Sequence, residues 1–260
     1  MKETDREILK VQDLTKHFGG FVAVSRVHFQ VNDGETVGLV GPNGAGKTTI
    51  FNLVTGFLRP TKGNVHFQGE EMTRLRPHQI ARAGMVRTFQ LNKIFTNLTV
   101  WENILIGCHQ FERGGFWRFL LRNPQEESKR LAEKAETIVQ MVGLQDLRGK
   151  SADNLSYGDQ KLLGIGISLG ANPRLLLLDE PFAGMNPKES MRCVSSLRRI
   201  ADQGVTIFLI DHNMRAVMDF CDRIVVVNFG QKIAEGKPQE ICQNPAVIEC
   251  YLGGKPVVHT

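Results

Sequence analysis

A glycine-rich turn that ends in Gly46-Lys47-Thr48 has the clearest chemistry in this sequence. Residues 41–48 read GPNGAGKT and fit the phosphate-binding pattern G-x-x-x-x-G-K-[ST], after an apolar strand and before a helical pattern. Glycine allows successive N–H groups to turn inward around a phosphate at the helix start, where the helix dipole favours anions. We expect Lys47 to reach the β and γ phosphates and the Thr48 hydroxyl to bind Mg²⁺. The motif predicts a nucleoside triphosphate but does not separate kinases, GTPases, helicases and transport ATPases.

Two adjacent carboxylates follow a strongly apolar strand. Residues 175–178 are four leucines, and Asp179 and Glu180 come directly after them. Asp179 is placed to hold Mg²⁺ beside Thr48, directly or through water, and Glu180 to polarise a water molecule toward the γ phosphate. These residues predict hydrolysis of the bound nucleotide.

The apolar runs indicate the strands that position these loops. Continuous rather than alternating apolarity is typical of strands buried on both faces of a parallel sheet. Four such runs cover residues 35–40, 175–178, 205–210 and 224–227. Helical patterns lie between several of them, so the sequence predicts an α/β fold with a mainly parallel sheet.

Other segments predict a small antiparallel layer and a helical insert. The first forty residues and residues 63–70 alternate in polarity and contain hairpin-type turns at 32–34 and at Gly69, and residues 228–230 indicate one more hairpin. From 125 to 144 the pattern is helical, and Gly143 is placed to end the helix. The apolar residues that share one face of this helix are Leu131, Ala135, Ile138, Val139 and Val142.

Composition excludes some classes of protein and permits others. The formal charge of +5 and the pI near 9.0 permit an anionic partner, but the charges are interspersed and favour an ordinary solvated surface. Five cysteines without a C-x-x-C pair suit buried free thiols in a reducing cytosol. No apolar segment is long enough to span a bilayer, and the start, MKETDREILK, is too charged for a signal peptide. We expect that the chain does not cross a membrane by itself.

Six segments, taken in order, closely resemble the ATP-binding subunits of ABC transporters. GPNGAGKTT is similar to the Walker A motif, RTFQ with Gln90 to the Q-loop, LSYGDQ to the LSGGQ signature, and LLLLDEP to Walker B. AGMNP is similar to the D-loop and His212 to the switch histidine. Phe18 lies where the family places an aromatic residue against the adenine. The resemblance covers about residues 8–253.

The resemblance implies the domain organisation. It predicts a single ABC ATPase domain over residues 1–260, with a P-loop NTPase core at about 6–90 and 162–253 and a helical subdomain at about 91–161. An antiparallel β subdomain belongs to the core, and the tail at 254–260 is expected to be loose. It also implies a head-to-tail dimer with two ATP molecules, each between Walker A of one subunit and the signature of the other.

The family's site residues carry over position by position. Catalytic roles are implied for Glu180, His212 and Gln90, and Mg²⁺ ligation for Thr48, Gln90 and Asp179. The implied ATP-binding residues are Phe18, Gly41, Pro42, Asn43, Gly44, Ala45, Gly46, Lys47, Thr48, Thr49, Ser156 and Gly158.

The signature and the D-loop each depart from the common pattern at one position. Ser156 alone indicates only a helix cap. Tyr157 replaces the first signature glycine and Asn186 the usual D-loop aspartate, so signature contacts and communication across the interface are expected to differ.

Four segments together look like one of the two ATPase subunits of branched-chain amino acid importers: LSYGDQ, AGMNPKE, RTFQLNKIFTNLTVWENIL and VIECYLGG. That family also has an aromatic and basic insert, matched by residues 109–130, which faces a partner or the membrane surface or else folds over its own domain. The resemblance implies a membrane permease, a second ATPase subunit and an extracytoplasmic substrate-binding protein, with no nucleic acid. It places the chain peripherally on the cytoplasmic face of the plasma membrane. A lipopolysaccharide exporter and a urea or amide importer stay open as alternatives.

Other NTPase classes fail at particular positions. A GTPase should contain N-K-x-D, yet Asn92-Lys93 is followed two residues later by Phe95. DNA-repair ABC ATPases insert heptad coiled coils before the signature, and no such heptads occur between Gly46 and Leu155. Translation-type ABC proteins usually hold two cassettes, whereas this sequence has one phosphate-binding loop.

Overall fold

The computed structural model describes residues 6–88, 94–110 and 124–252. Its strands are β1 (Glu7–Phe18), β2 (Phe21–Asn32), β3 (Thr36–Val40), β4 (Lys62–Phe67), β5 (Glu70–Glu71), β6 (Met85–Arg87), β7 (Leu175–Asp179), β8 (Thr206–Ile210), β9 (Arg223–Asn228) and β10 (Gln231–Gly236). Its helices are α1 (Lys47–Val54), α2 (Pro77–Ala83), α3 (Val100–Gln110), α4 (Pro124–Val142), α5 (Tyr157–Leu169), α6 (Pro187–Asp202), α7 (Met214–Phe220), α8 (Pro238–Gln243) and α9 (Pro245–Leu252). The chain forms two compact units, one of Met1–Ile80 and Thr206–Thr260 and one of Ala81–Val205.

The first unit contains three parallel strands with β3 in the middle. β3 pairs in parallel with β8 on one side and with β9 on the other, and β10 continues the sheet antiparallel to β9. All five residues of β3 and of β8 are buried, because helices or loops cover both faces of a parallel sheet. The predicted mainly parallel sheet is confirmed.

The same unit contains the predicted antiparallel layer, with the strand order β2-β1-β4-β5. β4 and β5 turn at Gln68-Gly69, where both residues have positive φ, so the hairpin predicted at Gly69 is confirmed. The predicted hairpin at 32–34 is wrong, because β2 pairs with β1 whereas β3 belongs to the parallel sheet. A turn sequence fixes the local reversal but not which strands pair. The hairpin that joins β1 to β2 turns at Gly19-Gly20 instead.

The second unit combines a parallel strand pair, β6 and β7, with α3 to α6. The helix predicted at 125–144 is α4, and its five predicted core residues are all buried. Gly143 follows the last residue of α4 and has φ of 72°. Its N–H donates to Gln140 O, and the N–H of Leu144 donates to Val139 O. This is the double hydrogen bond of a Schellman cap, and it agrees with the predicted stop.

None of the five cysteines, all of which lie in the described residues, forms a disulfide bond, and Cys108, Cys193 and Cys221 are buried. Burial raises the pKa of the Cys221 thiol well above its usual range, and the nearby charges of Asp222 and Asp211 raise it further. Among the described residues, no helix is long and apolar enough to cross a membrane.

Candidate nucleotide site

The phosphate-binding loop links the end of β3 to the start of α1. Gly41, Gly44 and Gly46 have φ of 157°, 80° and 99°, so all three adopt positive values that side chains disfavour. Gly46 caps α1 without a side-chain hydrogen bond, which leaves the first-turn N–H groups to a ligand. Asn43, Gly44 and Thr48 are exposed, and Pro42, Gly46, Lys47 and Thr49 are partly exposed. The loop therefore presents N–H groups at a helix start in the arrangement that binds phosphate.

Lys47 lies across this loop. Its Nζ donates to Gly41 O at 2.7 Å and to Pro42 O at 3.0 Å. These two carbonyls hold the ammonium group against the first residues of the loop. The position agrees with a lysine that contacts the phosphates of a nucleotide.

Neighbouring segments hold the loop closely. A Cβ at Gly41 would lie 2.0 Å from Val227 O, and a Cβ at Gly46 would lie 3.0 Å from Ala23 O. The Gly230 N–H donates to Ala45 O at 3.0 Å, so the turn between β9 and β10 supports the loop from behind. Glycine is therefore required at position 41 by a steric contact as well as by its backbone angles.

Two further predicted residues lie in the first unit. Phe18, at the end of β1, is 48% exposed, and the Lys16 ammonium lies 5.1 Å from its ring centroid. His212 follows β8 and has a largely exposed side chain. Because β3 and β8 are parallel neighbours, His212 leaves the sheet at the same edge as the phosphate-binding loop.

Asp211 fixes the turn that presents His212. Its side chain is fully buried, and its Oδ1 accepts from the N–H of Asn213 at 2.8 Å. The N–H of Met214 then donates to His212 O at 3.0 Å as α7 begins. The histidine is thus held by the backbone, with its ring exposed.

Tyr251 of α9 approaches both of these loops. Its hydroxyl lies 3.5 Å from Met214 Sδ, two residues after His212. The pKa of Tyr251 is raised to about 12, mainly by burial and to a smaller extent by the charge of Cys250, while the backbone N–H of Gly41 acts in the opposite direction. Nothing in the sequence pattern singled out this tyrosine.

In the second unit, Asp179 is the last residue of β7 and is paired with a cation. Arg87 Nη2 donates to Asp179 Oδ2 at 2.5 Å, and both side chains are mostly buried. Arg87 ends the adjacent strand β6, which brings it to the same sheet edge. The sequence offered only a weak signal for this pair, an arginine at the end of the short apolar run MVR.

Glu180 follows Asp179 in an unusual backbone conformation. Its φ of 50° lies in the left-handed region, which costs a non-glycine residue about 1 kcal/mol. Lys161 of α5 stabilises this turn by donating to Glu180 O at 2.6 Å and to Ala183 O at 2.7 Å. Lys161 is a second residue that the sequence did not identify.

Ser156 caps α5 as its sequence predicts. The serine Oγ accepts from the N–H of Asp159 at 3.2 Å and donates to Asp159 Oδ2 at 3.0 Å. Arg192 of α6 forms an ion pair with the same aspartate. Gly158 is buried against Glu189, whose Cδ would lie 3.1 Å from an added Cβ.

At the two departures, positions 157 and 186, the side chains make local contacts within the second unit. The Tyr157 ring packs over Gly184, where an added Cβ would lie 2.9 Å from Tyr157 Cε1. Asn186 caps α6 by accepting from the N–H of Glu189 at 3.0 Å, and Glu189 Oε2 accepts from the Asn186 N–H at 3.0 Å. Asparagine caps a helix as well as aspartate does, so the substitution keeps this local structure.

Gln90 lies outside the described residues, as do residues 111–123 of the predicted insert. Thr48 in the first unit offers a hydroxyl and Asp179 in the second a carboxylate, and each is a hard oxygen ligand of the kind that Mg²⁺ prefers. No group of three or more His, Cys, Asp or Glu residues able to hold a metal occurs in the described part of the chain. Mg²⁺ beside a nucleotide needs only one or two carboxylates, since phosphates and water complete its shell.

Two family profiles match this sequence. Residues 24–183 match the profile described as ABC transporter, and residues 231–256 match one described as branched-chain amino acid ATP-binding cassette transporter. The first match covers more than half of the chain, from β2 to beyond the Asp179 strand.

Individual relatives match almost the whole chain. The high-affinity branched-chain amino acid transport ATP-binding protein BraF of Pseudomonas aeruginosa is 41% identical over 251 residues, which cover 95% of this chain and 98% of BraF. LivG of Escherichia coli K12 has the same description and is 41% identical over 249 residues, which cover 95% of this chain and 98% of LivG. The crystal structure of the ADP conformation of MJ1267, an ATP-binding cassette of an ABC transporter, gives a TM-score of 0.83 at 34% identity and covers 95% of this chain and 99% of that one.

Proposed function

This chain belongs to the ATP-binding proteins of ABC transporters, and we propose that it energises the import of branched-chain amino acids. It binds ATP and is an ATPase that drives transport, as members of this family do. The observation that carries the nucleotide role is the loop between β3 and α1, with its positive-φ glycines, uncapped helix start and overlying Lys47. The proposed cargo rests on the second profile match and on the descriptions of BraF and LivG.

The residues of the phosphate-binding loop contact the phosphates of ATP in this proposal. Backbone N–H groups between Asn43 and Thr49 surround the β and γ phosphates, Lys47 balances their charge, and Phe18 stacks on the adenine. Thr48, Asp179 and Gln90 would hold Mg²⁺, which would neutralise charge that develops on the phosphates during hydrolysis.

The proposed hydrolytic residues act on the attacking water. Glu180 accepts a hydrogen bond from that water and orients it, and the left-handed turn held by Lys161 fixes the direction of the carboxylate. His212 and Gln90 complete the site near the γ phosphate. The division into a core, a β subdomain and a helical subdomain at about 91–161 is part of the same proposal.

We further propose that two ATP-binding subunits close head to tail around two ATP molecules. Ser156 and Gly158 at the start of α5 then face the γ phosphate bound by the other subunit. ATP favours the closed dimer because the γ phosphate makes these contacts only there, and hydrolysis removes them. Closure moves a membrane permease to which the subunits bind at the cytoplasmic face, and a separate extracytoplasmic protein delivers the cargo.

A mixing experiment tests the composite site. Ser156→Arg and Lys47→Ala are each expected to abolish hydrolysis in homodimers. In a mixed dimer, one site lacks both groups and the other is intact, so hydrolysis should return. Complete inactivity of well-formed mixed dimers would count against the head-to-tail arrangement, provided that the chain pairs with itself.

An uptake experiment tests the cargo. Deletion of the gene should abolish ATP-dependent uptake of labelled leucine, isoleucine and valine at low external concentration, while lipopolysaccharide export and urea uptake continue. Re-expression of the intact chain should restore uptake, and re-expression of the Glu180→Gln variant should not. Unchanged uptake of all three amino acids, in a host without a redundant ATPase, would refute the cargo and leave the ATPase role intact.

A further inference from the structure

Arg87 binds the carboxylate that the proposed metal site uses. Its Nη2 lies 2.5 Å from Asp179 Oδ2, and the two side chains are only 10% and 14% exposed. A mostly buried carboxylate is costly unless a cation or hydrogen-bond donors compensate its charge. Arg87 supplies that compensation through Asp179 Oδ2, one of the two oxygens of the carboxylate that is proposed to bind Mg²⁺.

The backbone fixes Arg87 at this position. Arg87 faces Leu177 in the parallel register of β6 and β7, and the N–H of the next residue, Thr88, donates to Leu177 O at 2.9 Å. The side chain therefore starts from a rigid strand end.

A guanidinium and Mg²⁺ at one carboxylate oppose each other. Both cations bind carboxylate oxygens, and two positive charges a few ångströms apart repel each other strongly in a partly buried site. Mg²⁺ also gives up its water reluctantly and normally relies on substrate phosphates for part of its binding. The phosphates of ATP supply negative charge that offsets the repulsion.

We propose that Arg87 is a positioning residue that holds the Asp179 carboxylate and prevents Mg²⁺ from binding there before ATP arrives. The inference rests on the proposed metal role of Asp179. Mg²⁺ and ATP then bind as one event, because the ion gains access to Asp179 only with the phosphates present.

Metal binding without nucleotide tests this inference directly. Mn²⁺ replaces Mg²⁺ as a paramagnetic probe, and its free concentration is followed by electron paramagnetic resonance. Arg87→Met keeps the length of the side chain and removes the charge, so the variant should bind Mn²⁺ about tenfold more tightly than the unmodified protein. Arg87→Lys keeps the charge and should change the affinity much less.

Arg223→Met is the matched control. Arg223 pairs with Glu35 at 2.7 Å, and these side chains are 18% and 13% exposed, much like Arg87 and Asp179. The control loses ion pairs with both Glu35 and Glu235 in the first unit, which is a larger loss than in Arg87→Met, and its Mn²⁺ affinity should be unchanged. ATP binding in the presence of a chelator shows whether each variant keeps a folded phosphate-binding loop.

The outcomes separate the inference from its premise. If Arg87→Met leaves the Mn²⁺ affinity unchanged while Asp179→Asn abolishes the metal dependence of ATP hydrolysis, the role of Arg87 is refuted and Asp179 remains a ligand. If ATP hydrolysis by Asp179→Asn keeps its normal metal dependence, the proposed metal role of Asp179 is itself refuted. If Arg87→Met does not fold, Arg87→Gln takes its place, and its Mn²⁺ affinity must rise for the inference to stand.

Discussion

Gly184→Ala is expected to destabilise the protein through contact with the unusual signature tyrosine. Gly184 has φ of 75°, and an added Cβ would lie 2.9 Å from Tyr157 Cε1. A left-handed alanine costs about 1–2 kcal/mol relative to glycine. Overpacking against the ring adds about 1 kcal/mol, at the low end of such effects because Tyr157 is partly exposed and can shift. The free energy of unfolding should therefore fall by about 2–3 kcal/mol.

Urea unfolding of four variants separates the two contributions. Gly204→Ala is the matched control, because Gly204 has φ of 85° and no atom within 4 Å of an added Cβ, so it measures the backbone cost alone. Tyr157→Gly removes the ring, and in that background Gly184→Ala should cost only about as much as the control. The coupling energy between positions 157 and 184 should be about 1 kcal/mol.

Equal losses for Gly184→Ala and Gly204→Ala would refute the proposed ring contact. The same conclusion would follow if Tyr157→Gly failed to reduce the cost of Gly184→Ala. In either case, the tyrosine at position 157 would have no structural partner in the D-loop.

Three further predictions concern single groups. Glu180→Gln should bind ATP normally while phosphate release slows about 10²–10⁴-fold, and near-normal turnover would remove Glu180 from the base role. Asn186→Ala removes the cap of α6 and should lower the free energy of unfolding, measured in urea, by about 1 kcal/mol. Asn186→Asp keeps a capping oxygen and should not lower it, so equal losses in the two variants would show that the cap does not stabilise the protein. Because burial raises the pKa of Tyr251 to about 12, the neutral phenol favours folding. This contribution to stability is fully present below the unfolded pKa of about 10 and is lost as pH rises through the folded pKa. The phenolate absorbance of the native protein, measured against Tyr251→Phe, reports the titration of Tyr251. A native titration near pH 10 would contradict the raised pKa.

Local patterns in the sequence predicted the parts of the fold that depend on local physics. The α4 core face and its stop at Gly143 follow from helical periodicity and from one residue that tolerates positive φ. The phosphate-binding loop followed from glycine spacing for the same reason. The turn at 32–34 was misassigned because turn residues specify a reversal, whereas strand pairing depends on which partners reach the sheet from elsewhere in the chain.

Contacts between distant residues account for what the sequence did not predict. The pair of Arg87 and Asp179 exists because β6 and β7 are neighbours, although 92 residues separate the two positions. The Tyr157 contact with Gly184 and the Lys161 bonds to the Glu180 turn arise in the same way. No periodicity or motif encodes such a pair, and the residues that complete a site are therefore the hardest to identify from sequence.

The central position of β3 determines when the nucleotide loop can form during synthesis. Thr36 bonds to Asp222, 186 residues later, and both strands that flank β3 lie near the end of the chain. While the ribosome is still making the middle of the protein, the apolar residues of β3 have no sheet partner, and such a strand is prone to aggregation. The loop at 41–48 also lacks its support until Val227 and Gly230 have emerged. We therefore expect ATP to stabilise the chain only after β8 to β10 have been made, and not to guide the folding of shorter nascent chains.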